Sequence, residues 1–114
     1  MPYISENHRK NLDNCIDQMV LCLKNNVPAT DEHPYPSPFN LNLDNEQMLG
    51  LSGDINYCFS RILAGLMGTT SYPKIAVITG VLENIKQEFY RRVATPYEGK
   101  KILENGDIKE YKHM

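Results

Sequence analysis

Arginine and tyrosine side chains at helical spacing are the residues of this 114-residue chain best suited to binding chemistry. Aromatic rings stack on bases, and the planar guanidinium group forms paired hydrogen bonds with phosphate or carboxylate. We predict contacts with a ligand or a partner, and no catalytic role, for two groups of residues. They are Tyr57 and Arg61 in one predicted helix, and Tyr90, Arg91, Arg92 and Tyr97 at and beyond the end of another.

The first group lies on a predicted helix face with two functional and two small side chains. Tyr57 and Arg61 are four residues apart and therefore neighbours on the helix surface. Ala64 and Gly68 continue this face, and their small size would admit another helix or a ligand. The simpler interpretation is a solvent-exposed face on which Arg61 stacks over Tyr57.

Arg92 is the unusual residue of the second group. It falls inside the apolar stripe of its predicted helix, whereas Arg91 lies almost opposite and Glu88 at the edge. Burial of an unpaired guanidinium is costly, so Arg92 must extend past the helix end, pair with Glu88, or meet an anion. The first two outcomes are structural, and the third would be functional.

Constellations for catalysis or metal binding are scarce in the sequence. The three cysteines and three histidines lack the paired spacing of zinc sites, and no glycine-rich phosphate loop is present. Helical enzymes that act on nucleotides hold magnesium with several carboxylates on facing helices, but Asp13 with Asp17, and Glu83 alone, have no second matching pair. We expect no metal and no cofactor. A small metal-dependent enzyme that uses Glu83 and Glu88 is the alternative.

Composition narrows the function and the location. Twelve basic and fourteen acidic residues give a net charge of −2, which disfavours general binding to nucleic acid. No apolar run approaches the roughly 18 residues of a membrane span, and the first residues lack the pattern of a signal peptide. Cys15 and Cys22 would lie about 10 Å apart on one helix, beyond the reach of a disulfide. We expect a cytoplasmic protein with reduced thiols and no membrane partner.

The length and the apolar pattern predict a mainly helical fold, a single domain over residues 1–114 with a three-helix core. Ser5 is a predicted N-cap, and Ser71-Tyr72-Pro73 is the predicted start of the third helix, because Pro73 fits its first turn. The proline-rich loop is expected to contain a short helical turn near 44–49, and it either binds a partner or only covers the helices. The predicted elements are helices over 5–25, 52–67 and 72–94, a proline-rich loop over 26–51, and a hairpin arm over 97–112.

The predicted arm depends on Asn105-Gly106, which lies between two short strand-like runs. Asn-Gly is the strongest short hairpin signal, because a type I′ turn needs positive φ at both central residues. Thr95-Pro96 should kink or end the helix before it. Since an isolated hairpin is only marginally stable, the arm should pack on the helices or on a second subunit. We therefore expect a homo-oligomer.

Several segments resemble a small, uncharacterised family of bacterial and phage proteins. They are Gly53-Asp54-Ile55-Asn56-Tyr57, the stretch from Ser71 to Glu83, Glu88-Phe89-Tyr90-Arg91-Arg92-Val93, Pro96-Tyr97-Glu98 and Glu104-Asn105-Gly106-Asp107. The proline-rich segment 27–50 departs from that family and looks like an insertion. The resemblance implies a helical core, a C-terminal arm and a phage or mobile-element setting, but no reaction.

Together these features predict a non-enzymatic accessory protein that acts by binding, in the host cytoplasm if a phage encodes it. Counter-defence fits such a setting, either by inhibition of a host protein or by sequestration of a small nucleotide-like anion. The alternatives are the metal-dependent enzyme described above and a structural module for oligomerisation.

Overall fold

The computed structural model describes residues 3–26 and 42–114, and these residues are mainly helical. The elements are α1 (Glu6–Asn25), α2 (Asn45–Gly50), α3 (Ser52–Met67), α4 (Tyr72–Phe89), a π-helical segment (Tyr90–Ala94), α5 (Thr95–Asn105) and α6 (Lys109–Lys112). No strand occurs within the two described ranges. The prediction of a mainly helical fold is confirmed, and most of the predicted proline-rich loop, residues 27–41, lies outside the described residues.

The chain divides into two compact units, which we call the N-terminal unit (Tyr3–Thr69) and the C-terminal unit (Thr70–Met114). The N-terminal unit contains α1, α2 and α3, and the C-terminal unit contains the remaining helices. A single domain with one three-helix core stays a prediction.

Side-chain caps begin α1 and α2 in the N-terminal unit. Ser5 Oγ accepts a hydrogen bond from the backbone N–H of His8 at 3.3 Å, as expected for the predicted N-cap of α1. A reciprocal capping box begins α2: Asp44 Oδ1 accepts from the N–H of Gln47 at 2.8 Å, and Gln47 Oε1 accepts from the N–H of Asp44 at 3.1 Å. Leu51, which joins α2 to α3, is only 4% exposed.

The C-terminal unit is organised around one long helix that comprises α4, the π segment and α5, residues 72–105. Ser71 Oγ caps its start by accepting from the N–H of Lys74 at 3.4 Å, and Pro73 lies in the first turn, where no N–H is needed. The long helix carries four of the six predicted contact residues.

The hairpin arm predicted over 97–112 is wrong, because the chain forms α5 and α6 there. Pro96 does not end the helix. In a regular α-helix its ring would clash with the carbonyl of Arg92, and its missing N–H would leave that carbonyl without a donor. The preceding turn is instead wider: the N–H of Thr95 donates to the carbonyl of Tyr90, five residues earlier. This wider turn accommodates the proline, and the helix continues.

Asn105-Gly106 ends α5 instead of turning a hairpin. Gly106 has φ of 84° and ψ of 157°, a region that is essentially restricted to glycine, and its N–H donates to the carbonyl of Ile102 at 2.7 Å. Helix ends and type I′ turns both need positive φ, so the same dipeptide suits either. The preceding residues decide between them, and here they are helical.

Candidate functional site

The six predicted contact residues lie in both units. Tyr57 and Arg61 are on α3 in the N-terminal unit, whereas Tyr90, Arg91, Arg92 and Tyr97 are on the long helix of the C-terminal unit. The two groups therefore form two separate candidate contact surfaces.

Tyr57 and Arg61 form a stacked pair on the surface of α3. The central carbon of the Arg61 guanidinium lies 5.9 Å from the centroid of the Tyr57 ring, within the range of a cation–π interaction. Met19 of α1 lies beside this pair, and together with Cys58 and Ile62 they line an open groove of about 250 Å³. The stacking agrees with the four-residue spacing.

Glu88 joins Arg91 and Arg92 in a compact charged cluster. Arg91 Nη2 donates to Glu88 Oε2 at 2.7 Å, and Arg92 Nε donates to Glu88 Oε1 at 3.0 Å. The Glu88 side chain is 20% exposed, whereas the arginine side chains are 71% and 69% exposed. Of the outcomes considered for Arg92, the structure shows the pair with Glu88. Two guanidinium groups share one carboxylate, so the cluster keeps a net charge of +1.

An exposed apolar ladder runs along one side of the long helix. We use this name for five residues at four-residue steps, each between 43% and 63% exposed: Val81, Ile85, Phe89, Val93 and Tyr97. The first four line an open groove of about 480 Å³ together with Asn84, Glu88 and Arg92. The charged cluster therefore borders the apolar surface.

The π segment keeps this ladder on one side of the helix. In an α-helix each four-residue step advances about 40° around the axis, so such a ladder winds gradually away from its starting side. A π turn contains more residues than an α turn, which reduces the advance between Phe89 and Val93. The widened turn that accommodates Pro96 thus also aligns the ladder.

The opposite side of the long helix is polar, and we call it the polar face. It consists of five side chains that line a second open groove of about 420 Å³: Glu83, Lys86, Gln87, Tyr90 and Arg91. Glu83 Oε1 accepts from Gln87 Nε2 at 3.2 Å and lies 3.9 Å from Lys86 Nζ. The face presents two cations, two carboxamide or carboxylate groups and one phenol.

Tyr90 and Tyr97 both contact charged residues of α5. The Tyr90 hydroxyl donates to Glu98 Oε1 at 3.2 Å. Lys101 Nζ lies 5.6 Å from the centroid of the Tyr97 ring and 3.2 Å from Glu104 Oε2. Both phenol rings remain more than half exposed.

The two glutamates of the enzymatic alternative do not converge. Glu83 and Glu88 are five residues apart, which directs their side chains about 140° apart around one helix. Across residues 3–26 and 42–114, no group of three or more His, Cys, Asp and Glu side chains is placed to hold a metal ion. Nor does any helix in these ranges have the length and apolarity to cross a membrane.

Comparison with known protein families identifies one family that matches most of the chain. The family described as a domain of unknown function, DUF6899, matches residues 1–108. The chain belongs to this family. No curated protein and no solved structure matches it. DUF6899 membership confirms the resemblance to an uncharacterised family, and the match covers both units.

The sequence analysis did not predict two features of this DUF6899 member. They are the continuation of the helix through Pro96 and the hydrogen bond between Tyr90 and Glu98. A signal was present, because the four-residue apolar spacing of Phe89, Val93 and Tyr97 passes through Thr95-Pro96 without interruption. The proline and the Asn-Gly pair outweighed that signal.

Proposed function

We propose that this DUF6899 protein acts by binding another protein through the polar face of its long helix, and that it catalyses no reaction. The observation that carries this proposal is the division of the long helix into two exposed sides of different chemistry, the apolar ladder and the polar face. A helix that is exposed on both sides has surface available for partners beyond its own unit.

The shape of the polar face favours a protein partner over a small ligand. Sites for small molecules are concave and bury most of the ligand surface. The polar face is one side of a single helix and offers no such enclosure. Tyr90 and Arg91 are residue types that dominate protein interfaces, and Lys86 adds positive charge beside them. The proposed partner carries an acidic patch opposite Lys86 and Arg91.

The setting of this activity is also a proposal. The resemblance to bacterial and phage proteins supports an accessory protein of a phage or mobile element, located in the host cytoplasm. In that setting, occupation of a host protein would serve counter-defence.

Capture of a nucleotide-like anion is the second candidate, and the charged cluster favours it. Arg91 and Arg92 both donate to Glu88, these three side chains together carry a charge of +1, and guanidinium groups bind phosphate in paired hydrogen bonds. The metal-dependent enzyme has less support, since Glu83 and Glu88 project in different directions.

The test compares two charge-reversal variants that change the net charge by the same amount. Lys86→Glu with Arg91→Glu reverses the polar face, and Lys109→Glu with Lys112→Glu makes the same charge change in α6. Tagged wild type and both variants are used to capture proteins from a bacterial host lysate, with quantitative mass spectrometry as the readout. We expect a host protein that binds wild type and the α6 variant but not the polar-face variant. Equal capture by all three would contradict the proposal.

A thermal-shift panel of nucleotides, with and without magnesium, tests the other candidates. Magnesium-independent stabilisation that Arg92→Met abolishes would favour anion capture. Magnesium-dependent turnover of a nucleotide would favour the enzyme.

A further inference from the structure

We propose that the apolar ladder binds a second copy of this chain, with the two long helices antiparallel about a two-fold axis that passes at the level of Phe89. This pairing uses the side of the helix opposite the polar face and does not depend on the proposed partner. It also replaces the predicted hairpin arm as the means of assembly, since α5 and α6 occupy that segment.

The exposed surface is large enough for a specific interface. All five ladder side chains are between 43% and 63% exposed in the structure. At roughly 100 Å² of exposed surface for each side chain, two copies would bury about 1,000 Å² in total, the size at which specific protein interfaces begin. Phe89 and Tyr97 supply the aromatic anchors that such interfaces favour.

The spacing of the ladder is symmetric about its central residue. Val81 and Tyr97 lie eight residues on either side of Phe89, and Ile85 and Val93 lie four residues on either side. In a two-fold interface the same surface of both copies meets itself. Antiparallel pairing places Phe89 against its own counterpart, Ile85 against Val93 of the second copy, and Val81 against Tyr97. Every ladder residue thus faces an apolar or aromatic residue.

The charges beside the ladder complement themselves in the same arrangement. Glu88 and Arg92 border the ladder on one flank, four residues apart. Across an antiparallel two-fold axis, each flank of one helix meets the same flank of the other. With the axis at Phe89, Glu88 of one copy and Arg92 of the second copy are offset by only about 3 Å along the helices. Two crossed ion pairs can form, and this complementarity identifies the occupant as a second copy.

Two charge-reversal variants test this arrangement in the 114-residue chain. Glu88→Arg places only positive charge on the flank, and Arg92→Glu places only negative charge there. We expect wild type to be a dimer by light scattering and sedimentation, and each variant alone to dissociate with at least about a ten-fold higher Kd. An equimolar mixture restores opposite charges across the axis and should recover the dimer. An ion pair that acts only within one helix gives no such recovery.

A cross-link checks the position of the axis independently of the charges. Phe89→Cys is made in a chain that also carries Cys15→Ser, Cys22→Ser and Cys58→Ala. Oxidation should give a disulfide-linked dimer, because a residue at the axis lies next to its counterpart. Gln87→Cys in the same background is the control, since position 87 lies on the polar face, and it should remain uncross-linked.

Three results would overturn the inference. The first is a wild type that is monomeric at about 100 µM, well above the micromolar range of ordinary specific complexes. The second is a mixture of the two charge variants that associates no more tightly than either variant alone. The third is equal cross-linking at positions 87 and 89.

Discussion

The hydroxyl of Tyr90 donates a hydrogen bond to the carboxylate of Glu98 at 3.2 Å, although eight residues separate the two. The residues between them are helical, so the Tyr90 and Glu98 side chains extend toward each other along the helix. Tyr90 is the first residue of the π segment, and Glu98 is in the first turn of α5. This contact links the two sides of the widened turn.

A double-mutant cycle measures the contribution of this contact. We expect Tyr90→Phe and Glu98→Gln each to lower the free energy of unfolding by about 0.5 to 1 kcal/mol, because both groups are exposed and water competes for them. Their effects should overlap, so the double variant should lose about 0.5 kcal/mol less than the sum. Urea unfolding monitored by circular dichroism gives all four values. Additive losses would show that the two residues act separately.

Replacement of Pro96 tests the origin of the π segment. In Pro96→Ala, residue 96 gains an N–H that can donate to the carbonyl of Arg92, and the ring clash disappears. We expect regular α-helix across 90–94, a gain of about 1 kcal/mol or more in the free energy of unfolding, and loss of the Tyr90–Glu98 contact. Backbone chemical shifts and urea unfolding are the measurements.

Pro73→Ala is the matched control for that experiment. Pro73 lies in the first turn of α4, where its missing N–H has no helical acceptor, so its replacement should change stability by less than about 0.5 kcal/mol. A π segment that persists in Pro96→Ala would show that another residue causes it.

Removal of the Glu88 charge should destabilise the long helix. Glu88→Gln weakens the bonds to Arg91 and Arg92 and leaves two guanidinium groups close together, which should cost about 0.5 to 1.5 kcal/mol at low salt. Glu83→Gln is the control, because Glu83 lies 3.9 Å from Lys86 and both side chains are exposed, so its effect should be close to zero. Thermal unfolding at 0.05 M and 1 M NaCl should show the difference between the variants shrinking with salt. A salt-independent difference would point to packing instead of charge.

Two glycines of the C-terminal segment should respond in opposite directions to alanine. Gly106→Ala forces a Cβ onto φ of 84° and ψ of 157°, so it should lower the free energy of unfolding by about 1 kcal/mol or more. Gly99 lies within α5, and an added Cβ would meet no atom within 4 Å. Gly99→Ala should therefore stabilise the protein by about 0.5 to 1 kcal/mol through helix propensity. Urea unfolding of both variants measures this, and equal effects would contradict the helical assignment of α5.

Features that depend on a few neighbouring residues could be predicted from the sequence. The cap at Ser5, the start of a helix directly after Ser71 and the stacking of Arg61 on Tyr57 involve contacts within one helical turn, and the structure contains all three. The pairing of Arg92 with Glu88 is one of the outcomes that the four-residue spacing predicts, and the structure contains it.

Features that depend on competition between local signals could not be predicted from the sequence. Asn105-Gly106 suits a hairpin turn and a helix end equally, because both require positive φ. The dipeptide ends a helix here because residues 95–104 are helical. They can be helical only because the helical turn before Pro96 widens. The free-energy differences between helix and hairpin at these residues are small, and the spacing of apolar residues alone does not reveal them.

The widened turn also determines on which side of the long helix the side chains of α5 lie. A π turn is equivalent to an α-helix with one inserted residue, so the residues before and after Tyr90–Ala94 follow two α-helical registers that differ by one position. Deletion of a single residue in this segment would merge the two registers and leave Tyr97 and Glu98 on the side of the helix that they occupy now, whereas a return to regular α-helix without a deletion would rotate both by about 100° around the axis relative to Phe89. Pro96, through the widened turn before it, therefore determines which side of the helix Tyr97 and Glu98 occupy.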